Sequence, residues 1–454
     1  MTDEKALESG PVGRTLFSLA LPTVLAQVIN MLYNVVDRIY IGRMEDVGSL
    51  ALTGVGVCLP LIMFITAFSS FVASGSAPRS SIFMGKGEKE KAERLLGGSF
   101  TLQIAISAIL TAVLSLFQRP LLLSFGASDN TIGYASSYMR IYALGTVFVE
   151  LTLGLNAFIT AQGRTTVSML VVTAGAVANI ILDPLFIYVF DMGVEGAAVA
   201  TVISQGISTL LCILYLSSAR AALRLKWSNL IQPLSLLLPS FALGLASFVM
   251  QSTESLISIC FNSSLLRYGG DTAVGAMTIC TSIMQMAMLP LQGIAQGSQP
   301  LTSFNYGRGN TERVKKCFRT LLTVSLIYSL TLWLLVELFP SLFASLFTTE
   351  ESLVTYAVPI VRIYLMMLGL MGILISCQMT FVSIGSALSS ISIALVRKIV
   401  LLIPLIYIMP YLYTSDPTTA VFLAEPIADL LAITFTVIVF LIRFPKALRE
   451  GKVR

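Results

Sequence analysis

An aspartate and an asparagine stand inside a long apolar run, Val167 to Phe190, where polar side chains are rare. Asp183 follows Asn179 by four residues, so on a helix the two side chains share one face. A charge at the centre of a bilayer costs at least ~3 kcal/mol, and acidic residues kept there are usually functional. Pro184 lacks a backbone N–H and is expected to bias Asp183 away from regular helix. The pattern suits a site for a proton or a small cation, or alternatively a kinked structural helix.

Two further polar residues are predicted to lie at the same depth. At ~1.5 Å per residue, Asp37, Asp183 and Thr201 lie ~9–10 Å below the outer ends of their helices, with Asn179 one turn deeper. Unpaired polar groups are costly in hydrocarbon, so we expect these four to meet and to bind H⁺ or Na⁺ at Asp37 and Asp183. In the alternative interpretation Arg38 neutralises Asp37, although on the helix it points ~100° away.

The composition indicates an integral membrane protein. The chain is 56% apolar and 12% charged, and its mean hydropathy is +0.85. It has no His, and its six Cys lack metal or disulfide spacing, so apart from the possible Na⁺ site we expect no metal and no cofactor. No nucleophile–base pair stands out, so we do not expect an enzyme. Apolar runs predict twelve transmembrane helices in an all-α fold. The predicted spans are 14–43, 49–78, 95–117, 131–160, 165–190, 194–218, 236–264, 271–304, 317–340, 352–382, 386–414 and 417–443.

The basic residues predict the orientation of the chain. Both termini and every second loop together hold 21 of the 29 Lys and Arg, whereas the intervening loops hold three. Because Lys and Arg concentrate on the cytoplasmic side, both termini are predicted to be cytoplasmic. The net charge of +5 follows these loops and does not indicate nucleic-acid binding.

The chain repeats itself at an offset of 222 residues. Gly75-Ser-Ala-Pro78 matches Gly297-Ser-Gln-Pro300, and Arg140-Ile-Tyr142 matches Arg362-Ile-Tyr364. Each half holds six spans, and an even number keeps both halves in the same orientation about an axis along the membrane normal.

We therefore predict two pseudo-symmetric six-helix bundles, residues 1–218 and residues 236–454, joined by a basic cytoplasmic linker at 219–235. A cleft between two such bundles favours transport by alternating access over a channel or a membrane enzyme.

The two halves differ in their acidic residues. Counted from the matched prolines Pro22 and Pro239, Asp37 corresponds to Glu254, whereas Asp183 corresponds to Ile403. Neutral and soft side chains are further candidates to line the substrate cleft, with interhelical hydrogen bonding or ordinary packing as the alternatives. The candidates are the acid Glu254 together with the neutral or soft side chains Met31, Met288, Gln292, Gln296 and Gln378.

Four charged residues fall within the last two predicted spans, namely Arg397, Lys398, Glu425 and Asp429. Counting from the inner ends of the helices puts Arg397 at a depth of ~16 Å and Asp429 at ~21 Å, within reach of each other. We interpret Arg397 and Asp429 as a buried structural ion pair, with an ion site as the alternative.

The motifs resemble those of the multidrug and toxic compound extrusion (MATE) family, and the likeness covers nearly the whole chain. It is closest to the bacterial MepA-like and DinF-like branch. The motifs are Val36-Asp37-Arg38-Ile39-Tyr40-Ile41-Gly42, Gly297-Ser298-Gln299-Pro300, Asn305-Tyr306-Gly307-Arg308-Gly309-Asn310, and Leu182-Asp183-Pro184.

The resemblance implies a secondary active antiporter that exports lipophilic organic cations in exchange for H⁺ or Na⁺. It implies that Asp37, Asn179, Asp183 and Thr201 form the coupling-cation site and that Glu254 matches a glutamate used by the NorM-type branch. The NorM-type acid on the tenth helix is absent here, where Gln378 is neutral.

The expected location is the inner or plasma membrane of a bacterium, with the chain as a monomer whose partners are the bilayer and the exported cations. The alternative function is a flippase for a lipid-linked sugar or another lipid precursor. A flippase for an anionic lipid would line its cleft with Arg and Lys, whereas the candidates here are acidic or neutral.

Overall fold

The structure, a computed structural model, describes residues 3–44, 47–348 and 350–453, and within these ranges it is helical without a β-strand. Met1, Thr2 and Arg454 lie outside them, so the predicted cytoplasmic position of the termini stays a prediction. The α-helices are α1 (Asp3–Ser9), α2 (Val12–Gly42), α3 (Gly48–Gly85), α4 (Lys89–Ser124), α5 (Ile132–Leu144), α6 (Thr146–Ala161), α7 (Thr165–Pro184), α8 (Gly193–Ser217), α9 (Leu234–Gly307), α10 (Thr311–Leu338), α11 (Pro340–Ser345), α12 (Glu351–Tyr364), α13 (Met371–Ser383), α14 (Ala387–Leu395), α15 (Ile403–Leu412) and α16 (Pro417–Val453).

Ten helical stretches are long and apolar enough to cross a membrane, and one of them is the 74-residue helix α9. Gly270 interrupts α9 with a non-helical backbone (φ 66°, ψ −162°), so α9 contains two spans. Helices α5 and α6 meet at a 55° bend and together form one further transmembrane span. When α9 is counted as two spans and α5 with α6 as one, the described residues form twelve spans, which confirms the predicted all-α membrane fold.

The spans contain irregular turns that periodicity alone does not show. Two are π-helical, Leu185–Val189 after α7 and Val396–Leu402 between α14 and α15. We expected Pro184 to move Asp183 out of regular helix, and this expectation is wrong. Asp183 stays within α7, and the irregular turn follows the proline. A proline disturbs the hydrogen bonds of its own turn, and the chain accommodates this by widening the turn after it.

Contacts divide the chain into two compact units. The first contains the residues up to Glu8 together with Leu25–Phe248, and the second contains Ser9–Val24 with Val249–Arg454. The division therefore falls inside α2 and inside α9, whereas the sequence repeat divides the chain between helices. The lobes predicted at 1–218 and 236–454 follow the sequence repeat. Each compact unit differs from its lobe by one helical segment that comes from the other half of the sequence.

Glycines explain the packing of the exchanged segment in the first unit. A Cβ atom at Gly75 of α3 would overlap the carbonyl oxygen of Ser240, and one at Gly244 would overlap the carbonyl oxygen of Phe71. Two helices approach this closely only where side chains are absent. The first segment of α9 is therefore held against α3 by direct backbone contact, reinforced by stacking of Phe71 on Phe241 at 5.4 Å.

The second unit repeats this arrangement. Gly297 of α9, which the sequence repeat pairs with Gly75, packs against the backbone of Ala20 in the first segment of α2. One turn away, Thr23 donates a hydrogen bond of 2.6 Å to the carbonyl oxygen of Gly293. The duplication is thus preserved in the packing of two glycines that occupy equivalent positions.

Candidate functional site

The first unit contains a pair of carboxyl groups in an apolar surrounding. Asn179 and Asp183 of α7 are 1% and 0% exposed, and Asn179 Nδ2 donates to Asp183 Oδ1 at 3.1 Å. The carboxyl group of Asp37, from α2, lies beside that of Asp183, and the two interact directly. Asp37 Oδ1, Asp183 Oδ2 and Asn179 Oδ1 have no hydrogen-bond partner within the described residues. Three buried oxygen acceptors therefore converge without a protein donor.

Tyrosine and threonine hydroxyls complete this cluster. The side chains of Thr201 on α8 and Tyr138 on α5 are within hydrogen-bonding reach, and Tyr138 senses the charge of Asp37. Tyr33, one turn before Asp37 on α2, is close enough to sense both aspartates. Asp37, Asn179 and Asp183 thus lie together, and Thr201 lies beside Tyr138, which senses the charge of Asp37.

Arg38 forms no ion pair with Asp37 among the described residues, although its charge acts on that carboxyl group. Its side chain is exposed, while Asp37 Oδ1 remains unpartnered as described above. The described residues also contain no group of three or more Cys, Asp or Glu arranged to hold a metal ion. The donor set is two carboxyl groups, one amide oxygen and nearby hydroxyls, which suits a proton or a monovalent hard cation.

The second unit carries a network of five charged side chains. Arg397 Nε donates to Asp429 Oδ1 at 2.8 Å, and Arg397 Nη2 lies 3.4 Å from Glu425 Oε1. Lys398 Nζ forms an ion pair with Glu254 of α9. Three acids face two bases, so the network has one excess negative charge if all five are ionised. Arg397 and Asp429 form the expected buried pair, and they do so as part of this larger network.

The remaining cleft candidates differ in burial and in the residues that they contact. Gln378 of α13 is buried and donates to the sulfur of Met250 at 2.8 Å, one helical turn before Glu254. Gln292 is exposed, whereas Gln296 and Met288 are half-buried, and Met288 packs against the apolar core of the second unit. Met31 is half-buried in the first unit. The structure therefore brings Gln378 within one helical turn of Glu254.

Sequence reasoning missed Tyr138 and the ion pair of Lys398 with Glu254. Tyr134, Tyr138 and Tyr142 recur every four residues, and this tyrosine face was a usable signal for Tyr138. No pattern in the sequence indicates which acid Lys398 meets, because its partner is 144 residues away. Glu150 of α6 is fully buried, and neither of its carboxylate oxygens has a hydrogen-bond partner among the described residues.

The family model MatE matches the chain twice, over residues 22–185 and residues 246–408. The chain belongs to the MatE family. The second match begins 224 residues after the first, in agreement with the repeat seen in the sequence. The predicted resemblance is therefore confirmed, and members of this family are multi-pass membrane transporters for multidrug efflux.

Similar proteins support the same conclusion. The multidrug export protein MepA of Staphylococcus aureus (strain MRSA252) is 25% identical over 446 residues, covering 98% of this chain and 97% of MepA. A solved structure of the MATE multidrug transporter DinF-BH is 32% identical, with a TM-score of 0.87 and coverage of 95% of this chain and 96% of that one. A crystal structure of MATE in the bent conformation, 22% identical, has a TM-score of 0.92 over 100% of both chains and shows that the fold is shared.

Proposed function

We propose that this transporter is a secondary antiporter that exports lipophilic organic cations by alternating access and is driven by inward movement of H⁺ or Na⁺. The observation that carries the proposal is the contact between Asp37 and Asp183, with Asn179 as the only described donor. Two carboxyl groups that share a buried site resist carrying two negative charges. Uptake of one small cation relieves this repulsion, so occupancy of the site depends on the cation gradient.

The coupling follows from linkage between two binding events. If the empty pair favours the state that accepts drug and the occupied pair favours the state that releases it, each ligand weakens the binding of the other. A tenfold change in affinity on either side corresponds to about 1.4 kcal/mol exchanged between the two sites. No direct contact between drug and coupling ion is needed.

The proposed class of substrate follows from the charged and neutral side chains around Glu254. Glu254 of the second unit has a side chain that is 56% exposed, although its carboxylate also pairs with Lys398. The side chains of Gln378 and Met250 near it are neutral and can adapt to varied apolar groups. An accessible acid beside apolar and neutral groups favours a lipophilic cation over the anionic lipid that a flippase would carry. We further propose a monomer in a bacterial plasma membrane with both termini in the cytoplasm, as the loop charges predict.

The experiment is efflux of ethidium from proteoliposomes that contain the purified protein. An imposed pH gradient and an imposed Na⁺ gradient are applied separately, so that the coupling ion is identified by the gradient that drives efflux. We expect Asp183→Asn to abolish gradient-driven efflux because the neutral amide removes the charge that binds the coupling cation.

The matched control is Glu195→Gln, which neutralises an exposed acid in the first turn of the neighbouring helix α8. It should transport at the rate of the parent protein. Normal gradient-driven efflux by Asp183→Asn, or an equal loss in the control, would contradict the assignment of the coupling site.

A further inference from the structure

The accessible acid of the second unit is occupied by a buried lysine. The side chain of Lys398 is 5% exposed, whereas that of its partner Glu254 is 56% exposed. Lys398 lies in the π-helical turn Val396–Leu402, and Glu254 lies on α9. The ammonium group thus approaches the carboxylate from the protein interior and leaves its other side open.

Lys398 has other acidic groups within electrostatic range. Both Glu425 and Asp429 of α16 sense its charge. Arg397 contacts Glu425 Oε1 and Asp429 Oδ1, while Glu425 Oε2 and Asp429 Oδ2 have no hydrogen-bond partner among the described residues. Two buried acceptor oxygens of the network therefore lack a donor among the described residues.

The charge balance of the fully ionised network leaves room for one additional cation. Three carboxylates and two basic groups leave the network with one excess negative charge if all are ionised. A monovalent cation bound at Glu254 would bring the network to neutrality, provided that Lys398 remains stabilised by Glu425 and Asp429. Buried charge is costly unless it is compensated, so a neutral network is the more stable one.

We propose that Lys398 is a tethered competitor for the substrate at Glu254. A lipophilic monovalent cation displaces its ammonium group from the carboxylate, and Lys398 then turns toward the open oxygens of Glu425 and Asp429. Lys398 is then a specificity residue that excludes cations with low affinity for the Glu254 carboxylate. A ligand must displace the ammonium group of the same chain before it binds. The inference rests on the proposed function only in taking an organic cation as the substrate.

The test is equilibrium binding of ethidium to the purified protein in detergent, followed by fluorescence anisotropy without any ion gradient. Lys398→Met keeps the length and apolar stem of the side chain but removes its charge. We expect it to bind ethidium roughly three- to tenfold more tightly than the parent protein, because the competing cation is gone. Lys398→Arg retains the charge and should stay within about twofold of the parent protein.

A double-mutant cycle locates the effect. Glu254→Gln should weaken binding, and Lys398→Met should give no further gain in the Glu254→Gln background. Unchanged or weaker binding by Lys398→Met, or a gain that persists without the Glu254 carboxylate, would overturn the proposal. Size-exclusion chromatography establishes that each variant is folded before it is titrated.

A second variant keeps the proposal testable if Lys398→Met does not fold. Glu254→Asp retains the negative charge but shortens the side chain by one methylene, which favours a mobile ligand over the tethered lysine. We expect tighter binding of ethidium, and a loss as large as that of Glu254→Gln would overturn the proposal.

The outcome is separable from that of the proposed function. Binding in detergent reports the competition at Glu254, whereas the proteoliposome experiment reports coupling at Asp183. Tight, Glu254-dependent binding without gradient-driven efflux would support the competitor and reject the antiport. Gradient-driven efflux with a binding affinity that does not respond to Lys398 would do the reverse.

Discussion

At the scale of single residues, the buried acids of the two halves have neighbours of opposite charge. Asp183 is fully buried with an amide donor and a second acid as its neighbours. Asp429 is buried to the same degree, but the guanidinium group of Arg397 neutralises it. The same type of side chain therefore lies beside another acid in the first unit and beside a basic group in the second.

We expect binding of ethidium to release protons if H⁺ is the coupling ion, and its affinity to fall on acidification. Acidification protonates the pair of Asp37 and Asp183, and the protonated pair favours release of the drug. The measurement is calorimetry in buffers of different ionisation enthalpy, with a parallel titration of affinity against pH.

Asp183→Asn should remove most of this pH dependence, whereas Glu195→Gln should retain it. An affinity that is independent of pH in the parent protein, together with no proton release, would exclude proton competition. Coupling to Na⁺ would then be the surviving form of the proposed antiport.

At the scale of helices, close packing depends on glycines that cannot be enlarged. Gly75 and Gly56 both lie in α3 and share the same helical backbone. A Cβ atom at Gly75 would overlap the carbonyl oxygen of Ser240, whereas at Gly56 nothing lies within 4 Å. The same substitution at these two positions therefore separates packing from helix propensity.

Gly75→Ala should destabilise the protein by about 1–3 kcal/mol, because the contact is with backbone that cannot move aside locally. Gly56→Ala should be neutral or stabilising by up to about 1 kcal/mol, since alanine is the better helix former. Thermal unfolding in detergent measures both. Equal shifts of the unfolding midpoint for the two variants would contradict the close approach of α3 and α9.

At the scale of the whole molecule, the duplicated halves are joined by a segment that is fixed to the first unit. Glu93 of α4 is buried, and its carboxylate accepts from the backbone N–H of Arg224 at 3.2 Å and pairs with Lys226 at 2.5 Å. Gly97, one turn along α4, packs against the backbone of Asn229. The linker predicted at 219–235 is thus anchored rather than free.

Glu93→Ala should release this linker and speed its cleavage by trypsin at Arg220, Arg224 or Lys226, because one carboxylate holds both a backbone and a side-chain donor. The matched control is Glu90→Ala on the same helix, which breaks only an exposed ion pair with Arg94. Limited proteolysis followed by mass spectrometry locates the cuts. Equal cleavage rates in the two variants would show that Glu93 does not anchor the linker.

The sequence by itself determined the class, the number of spans and the duplication of this protein. Span number follows from the length of apolar runs, which must match the thickness of the hydrocarbon. The contact of Asn179 with Asp183 was predictable because residues four apart on a helix share a face. The motifs around Asp37 and Gly297 identified the family, which the two family matches confirm.

Only the tertiary structure decided which distant residues meet. The ion pair of Lys398 with Glu254 and the reach from Tyr138 to Thr201 depend on how each helix is rotated about its axis. The π-helical turn Val396–Leu402 changes that rotation, so counting at 3.6 residues per turn cannot place side chains beyond it. The exchange of segments between the compact units likewise depends on close backbone contact at Gly75 and Gly297, a property of two helices together rather than of either sequence alone.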